Sequence, residues 1–237
     1  LPHRGEDGAD RVLAQDFFGQ SPLMTNAFYY PFANKIFILA GISHAPMFDH
    51  ELPLAWNYGA IGLVVSHEIT HGFDNNGANF DGRGAWRNWW SDWSRRHFDE
   101  ATQCLVDQYA DFSMWDVHTD GALTLGENIA DNSIASPFRA VMQRLKDDKS
   151  AQSARLPLSP RHPLAGMTDE QAFFVGFATS WCTKQDKARY MWMVDNDPHS
   201  APKFRVLGTL RNSNEFSEAF QCPLGSGMNP EHKCRVW

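Results

Sequence analysis

Apolar residues recur at helical spacing in several stretches of the chain. Between Asn57 and Phe73 they repeat every three or four positions, and the run closes on a glycine and further turn residues, which predicts a buried helix. The same reasoning predicts three more helices: a long one from Trp86 to Phe112, one from Glu127 to about Lys146 with a kink or break at Pro137, and one that runs from the capping box of Thr168 and Gln171 through Trp181.

Short strands and loops account for the remaining sequence. The stretch from Asn26 to Ile42 is rich in Phe, Tyr and Ile, which predicts one or two short strands. Prolines interspersed with Ser, Lys and Arg predict an exposed loop from Asp147 to Met167. The sequence after Asp195 is turn-rich, with one short helix predicted from Asn214 to Phe220. These elements predict a mainly α-helical (α+β) fold with a few short strands.

The charge balance restricts the function. Asp and Glu number 28 against 21 Lys and Arg, a formal net charge of −7. Nucleic acids and anionic membrane surfaces are bound by clustered basic residues, so neither is a predicted partner. No apolar run approaches the roughly 18 residues that cross a bilayer, so no membrane contact is expected from this segment. Residues 1–23 lack the charged and apolar regions of a signal peptide and are interpreted as a boundary segment.

The sharpest chemical signal is the run HEITH at residues 67–71, inside the predicted buried helix. His67 and His71 lie four positions apart on one helical face, so both imidazoles can hold one metal ion while Glu68 points at its edge. A chance match in a chain with ten histidines has odds of roughly one in a hundred. Buried polar groups need partners, and a metal supplies them. The run therefore predicts one Zn²⁺ ion per chain.

A catalytic zinc ion needs a third protein ligand. The run GENIAD at residues 126–131 offers Glu127 and Asp131, four apart on one face of the next predicted helix. Glu127 is the candidate ligand, and Asp131 can accept the second ring N–H of a ligating histidine. Taken alone, this pattern also suits a solvated helix N-terminus, where acidic residues are stabilised by the helix dipole.

Several separated motifs in one order resemble a known family. HEITHGFD, GENIAD, NAFYYP followed by AGI, FFVGFATSWC, DPHSAPKFRVLGTLRNSNEF and the final CRVW resemble the neprilysin and endothelin-converting-enzyme family (M13) of zinc metallopeptidases. The resemblance covers residues 24–237, which are therefore expected to form one thermolysin-like catalytic domain. Family members are about three times as long, so the resemblance also implies a second, N-terminal lobe as a partner.

The resemblance implies a role for each matching site residue. His67, His71 and Glu127 become the zinc ligands, and Glu68 becomes the general base that activates the zinc-bound water. Asp131 supports a zinc histidine. His199 stabilises the oxyanion, and Asp197 orients it.

Further residues are implied to bind substrate. Arg205 would grip a substrate carbonyl or carboxylate, while Asn26 and Ala27 would hydrogen-bond the peptide backbone as an edge strand does. An apolar pocket for the side chain after the scissile bond would be lined by Ile42, Met47, Leu63, Val64 and Trp181.

Four cysteines without a C-x-x-C pair argue against a thiolate zinc site, and the residues themselves allow three disulfide pairings or buried thiols. The resemblance implies a disulfide between Cys104 and Cys234. In the family the cysteines that match Cys182 and Cys222 pair with upstream cysteines, so here these two are expected to be unpaired, paired with each other or bonded to a separate chain. It also implies an extracellular or cell-surface ectodomain.

The expected function is therefore hydrolysis of oligopeptides on the amino side of hydrophobic residues. One alternative is a catalytically weak zinc-binding fragment that acts as an interaction partner or decoy. A second is a zinc aminopeptidase, which the missing Gly-x-Met-Glu-Asn run disfavours. The physiological peptide and the oligomeric state are not specified by these residues.

Overall fold

In the computed structural model, which describes residues 21–148 and 164–237, strands form only two short antiparallel pairs and helices dominate. Strand β1 (Ala27–Tyr30) pairs with β2 (Lys35–Ile38), so that Ala27 lies opposite Ile38. Strand β3 (Ser113–Met114) pairs with β4 (Val117–His118). The first pair confirms the short strands predicted between residues 26 and 42.

The helices confirm the mainly α-helical prediction. In chain order they are α1 (Leu54–Asn57), α2 (Leu63–Thr70), α3 (Asp92–Ala110), α4 (Leu125–Asp131), α5 (Ala135–Asp147), α6 (Asp169–Ser180), α7 (Lys187–Asn196), α8 (Pro202–Asn212) and α9 (Asn214–Ala219). In the part of the chain that the structure describes, no helix combines the length and the apolar character needed to cross a membrane.

One helical rod carries the predicted metal motif. Helix α1 continues through a π-helical turn at Tyr58–Gly62 into α2, and a 3₁₀ turn at His71–Phe73 follows. The π turn packs against α6 so closely that a Cβ on Gly59 would lie 1.9 Å from the carbonyl oxygen of Phe173. Only glycine permits this approach, which fixes the rod against the core.

The core holds the two helices of the predicted site from behind. Rings and aliphatic side chains of α1, α2, α5, α6 and α8 form the main buried cluster, and a second cluster packs α3 against α4 and the C-terminal residues. Burial of each large side chain contributes about 1.5–3 kcal/mol. The main cluster comprises Ala55, Leu63, Ile134, Phe138, Val141, Leu145, Ala172, Phe173, Phe174, Phe177 and Leu210, and the second comprises Phe98, Leu105, Tyr109, Ile129 and Cys234.

Three helix predictions agree with the structure. The capping box of Thr168 and Gln171 is present at the start of α6. The helix predicted from residue 127 is interrupted by a 3₁₀ turn at Asn132–Ile134, and Pro137 then lies in the first turn of α5, where proline is tolerated. The predicted short helix near the C-terminus is α9.

Two predictions needed correction. Helix α3 begins at Asp92 instead of Trp86, because the Ser91 side chain accepts a hydrogen bond from the Ser94 N–H and caps the helix there. The turn-rich tail contains the eleven-residue helix α8, which begins with Pro202 at its first turn. The predicted loop from 147 to 167 lies mostly outside the described residues, as does most of the 1–23 segment.

Candidate active site

Two histidines face each other at the end of the rod. His67 in α2 is buried and His71 lies one turn later, so their rings share one helical face. Their Nε2 atoms are 3.0 Å apart, and the ring planes are nearly perpendicular at 86°. The i, i+4 spacing of the motif therefore aims two ring nitrogens at one point.

Glu127 in α4 brings a third atom to this point. Its Oε2 lies 3.2 Å from His67 Nε2 and 3.7 Å from His71 Nε2. This oxygen is buried and has no hydrogen-bond partner among the described residues. Gly126 lets α4 approach, because a Cβ there would lie 3.0 Å from the side-chain oxygen of Asn75.

The three atoms fit a zinc ion. Zinc bonds of about 2.0–2.2 Å in a tetrahedron place ligand atoms about 3.3–3.6 Å apart, close to the separations of 3.0, 3.2 and 3.7 Å here. Both Nδ1 atoms contact carboxylates, so each neutral imidazole presents an Nε2 lone pair to the shared point. Two imidazole nitrogens and one buried, unpaired carboxylate oxygen form the donor set of a three-ligand zinc site.

Carboxylates behind the histidines fix their orientation. Asp131 Oδ1 accepts a hydrogen bond from His67 Nδ1 at 2.9 Å, which is the contact predicted from GENIAD. Asp74 Oδ2 holds His71 Nδ1 in the same way at 2.7 Å. Asp74 is not among the site residues predicted from the sequence, although its place three residues after the second histidine is a signal that points to it. Such contacts fix the tautomer that leaves Nε2 available to a metal.

Proton sharing couples the ligands. Burial lowers the pKa of His67, but its hydrogen bond with Asp131 and the nearby Glu127 carboxylate outweigh burial and raise the pKa to about 9. Burial raises the pKa of Glu127, yet the close contact with His67 and the positive charge of that histidine bring it down to about 2. In the metal-free chain a proton therefore lies between these groups, and a metal ion has to displace it.

A buried arginine anchors Asp131. Arg205 Nε and Nη2 each donate to an Asp131 oxygen at 2.7 Å, a bidentate pair buried on both sides. The guanidinium also lies 3.8 Å from the ring centroid of Trp181. Burial raises the pKa of Asp131, but the Arg205 charge more than cancels this and holds it well below its usual range. The geometry gives Arg205 a supporting contact, and substrate binding by Arg205 stays a prediction.

Glu68 lies beside the ligands without being one of them. Its side chain lines the same cavity as His67 and His71, and the residue is only 6% exposed. Burial raises the pKa of Glu68, and the charges of the two histidines oppose that rise. A carboxylate with a raised pKa is suited to take and return a proton.

His199 reaches the site from the loop between α7 and α8. Its Nε2 lies 3.3 Å from Glu127 Oε2. Asp197 Oδ1 accepts hydrogen bonds from both the backbone N–H of His199, at 3.0 Å, and its Nδ1, at 2.7 Å. The structure therefore places Asp197 in contact with His199, which it orients according to the family resemblance.

A cavity of about 440 Å³ joins these groups. Of the predicted substrate-binding residues, Asn26, Ala27, Ile42, Leu63, Val64, Trp181 and Arg205 line it. Met47 is not among the lining residues; it is half-buried, and its carbonyl accepts a hydrogen bond from the Ile61 N–H. The wall missed by the sequence analysis includes Phe28, Tyr29, Phe80 and Leu123.

The cysteines and the remaining histidines of the described segments lie outside the cavity. Cys104 and Cys234 form the disulfide that the resemblance implies, across 130 residues. Cys182 and Cys222 are free thiols in the described structure. Of the histidines predicted at the surface, three are exposed and one lies outside the described residues: His44, His97 and His118 are exposed, and His162 is not described.

Comparison with known proteins now identifies the family. The model of peptidase family M13 matches residues 26–236. The chain belongs to this family. Neprilysin-1 of Caenorhabditis elegans is 45% identical over 93% of the chain, and endothelin-converting enzyme 1 of Rattus norvegicus is 43% identical over 94%. The chain spans only 29% and 28% of those two relatives.

A solved structure also resembles this chain in fold. A crystal structure of a Mycobacterium tuberculosis zinc metalloprotease in complex with an inhibitor superposes with a TM-score of 0.82 at 35% identity. It matches 92% of this chain, while the chain covers 33% of that protein. The zinc-metallopeptidase fold expected from the sequence is therefore confirmed over residues 26–236, and the chain covers about a third of the length of this solved relative.

Proposed function

We propose that this M13 chain is the catalytic part of a zinc-dependent endopeptidase that hydrolyses oligopeptides on the amino side of hydrophobic residues. The observation that supports this most strongly is the meeting of His67, His71 and Glu127 in one cavity with a non-ligating carboxylate, Glu68. Three protein ligands leave a coordination position open, which distinguishes catalytic zinc sites from closed structural ones.

Different side chains hold the metal ion and transfer the proton in the proposed reaction. Zinc held by His67, His71 and Glu127 supplies Lewis acidity, which makes water nucleophilic at neutral pH and polarises the scissile carbonyl. Glu68 accepts the proton of the attacking water and passes it to the leaving amine. Its burial beside the ligand histidines supports this role.

His199 faces the charge that develops on the substrate. Its Nδ1 is held by Asp197, so Nε2 is the atom that donates to the oxyanion. Asp131 and Arg205 keep the first histidine in its ligating tautomer. We expect Arg205 also to contact a substrate carbonyl or carboxylate from the cavity wall.

The residues that line the cavity support the proposed preference for extended peptides with a hydrophobic side chain after the scissile bond. Asn26 and Ala27 lie at the start of β1 along the cavity, where an extended peptide can hydrogen-bond to them. The apolar group formed by Ile42, Leu63 and Val64, with Trp181, suits a hydrophobic side chain after the scissile bond. The relatives support placement as part of an extracellular or cell-surface ectodomain, with the remainder of a longer chain as partner.

The test is hydrolysis of an internally quenched peptide with both ends blocked. Glu68→Gln should abolish hydrolysis while one zinc ion per chain is retained, and Glu100→Gln, on the exposed face of α3, should change neither. Mass spectrometry should place the cut before Leu or Phe. Blocked ends exclude an aminopeptidase. Bound zinc without hydrolysis would instead support the weak zinc-binding fragment, which the chain's 28–29% share of its relatives' length makes the second candidate.

A further inference from the structure

A buried side-chain contact joins the ligand helix to the His199 loop. The Ser200 hydroxyl donates a hydrogen bond to Asn128 Oδ1 at 2.8 Å, across 72 residues of sequence. Asn128 follows the ligand Glu127, and Ser200 follows His199. Both are almost inaccessible, with exposures of 0% and 1%. The contact therefore links the neighbours of two groups that meet in the cavity.

His199 needs such an external anchor. Its side chain is 44% exposed, and its contacts with Asp197 lie within its own loop. Those contacts set the ring's orientation relative to the loop, but not its position relative to the metal ligands. The hydrogen bond from Ser200 to Asn128 fixes the loop against α4, and Asn128 is adjacent to the expected metal ligand Glu127 on that helix.

Ser200 is not used as a helix cap. Serine near a helix start commonly accepts a backbone N–H, yet the N-cap of α8 is Ala201, without any side-chain capping bond. Ser200 stands one residue earlier and turns its hydroxyl to Asn128 instead. The donor chain continues from Asn128 Nδ2 to Thr124 Oγ1 at 2.9 Å and from Thr124 Oγ1 to the Asp120 carbonyl at 2.8 Å. Every one of these donors is satisfied, which makes the anchor rigid.

We propose that the Asn128–Ser200 hydrogen bond is a positioning contact that holds His199 at its distance from Glu127 and thereby sets the strength of oxyanion stabilisation. This inference rests on the proposed function. The contacts of Arg205 in α8 with α4 involve Asp131 and Glu127 and therefore bear on the metal ligands, whereas the Ser200 hydroxyl hydrogen-bonds only with Asn128 among the described residues. Ser200 is thus the position at which His199 can be displaced without disturbing the metal.

The experiment compares two inhibitors with the same dipeptide part on the zinc-loaded 237-residue chain. A phosphoryl dipeptide carries anionic tetrahedral oxygens that imitate the oxyanion, and a mercaptoacyl dipeptide binds through its thiolate. Ser200→Ala should weaken the phosphoryl compound about tenfold relative to the thiol, the scale of one buried hydrogen bond. Zinc content should stay at one per chain, and peptide turnover should show a lower kcat with KM within about twofold.

Ser217→Ala is the matched control, since Ser217 in α9 is also a buried serine whose hydroxyl donates a hydrogen bond, to Ser213 O at 3.1 Å. Its hydroxyl partners, Ser213, Met228 and Lys233, lie outside both α4 and the His199 loop. The control should leave the ratio of phosphoryl-inhibitor affinity to thiol-inhibitor affinity unchanged. His199→Ala distinguishes the role of His199 from that of its anchor: if this variant leaves the affinity ratio unchanged, both the role of His199 and the inference are wrong. If the affinity ratio falls in His199→Ala but not in Ser200→Ala, only the positioning contact is wrong.

Discussion

The two aspartates behind the histidines make the same contact with different surroundings, and this predicts different consequences of the same substitution. Asp131 accepts one hydrogen bond from His67 and two from the buried Arg205. Asp74 accepts one from His71 and two from backbone N–H groups of Asn76 and Gly77, all at 2.7 Å. Changing either to asparagine removes the negative charge, but only at Asp131 does this leave a buried cation without its partner.

Asp131→Asn should therefore reduce both zinc affinity and stability. Loss of one partner of a buried ion pair costs about 3–5 kcal/mol. Arg205 Nη2 lies 3.7 Å from Glu127, which partly compensates, so we expect about 3 kcal/mol. That is a large part of a typical unfolding free energy of about 5–15 kcal/mol.

Asp74→Asn should reduce zinc affinity with little loss of stability. The amide oxygen of asparagine can still accept the N–H groups of Asn76 and Gly77, so one hydrogen bond to His71 is lost, at about 1 kcal/mol. Zinc affinity should fall about 10–100-fold in both variants, because each removes the support of one ligating histidine.

Two measurements separate these effects: a metal-buffered zinc titration, and urea unfolding of the chain in chelator. Equal stability losses in the two variants would refute the claim that Arg205 makes the difference. Unchanged zinc affinity in both would refute the view that the carboxylates fix the ligating tautomer of His67 and His71.

Three further predictions concern stability. Removing the disulfide by Cys104→Ala with Cys234→Ala should lower the unfolding free energy by about 5 kcal/mol for a loop of 130 residues, measured in urea. Gly208→Ala should cost about 1–3 kcal/mol, because its Cβ would lie 2.4 Å from the buried Tyr109 hydroxyl; an unchanged melting temperature would contradict this. The pKa of His67 is raised from 6.5 to about 9, so its contribution to zinc-free stability should be full below pH 6.5 and lost by about pH 9, as followed by urea unfolding in chelator.

Local signals predicted the parts of the site that lie within one element. The spacing of His67 and His71 needs only the helical repeat, and the capping box at Thr168 needs only four residues. Helix α8 was missed because its buried face carries polar residues, Arg205 and Thr209 among them, which hide the apolar period.

Contacts between distant segments could not be predicted in the same way. Asp131 and Arg205 are 74 residues apart, and nothing in either neighbourhood indicates the other. Family resemblance assigned Arg205 to the substrate, and only the structure shows that its guanidinium holds Asp131. Asp74 was hidden for a different reason, since an aspartate beside Asn75 and Asn76 also suits an ordinary turn.

The distribution of these contacts along the chain separates metal binding from peptide cleavage. Every residue that we expect to hold zinc, and each carboxylate or guanidinium that supports those residues, lies between positions 67 and 205. The chain covers less than a third of the length of these two relatives. Because the residues expected to hold and support zinc all lie within the chain, zinc affinity should not depend on the rest of a longer protein. Peptide affinity can depend on it, since further segments can add walls to the cavity. We therefore expect the 237-residue chain and a full-length relative to differ in KM far more than in zinc affinity. A zinc affinity much weaker than that of the full-length relative would show that the remainder also braces the ligands, and would contradict this separation.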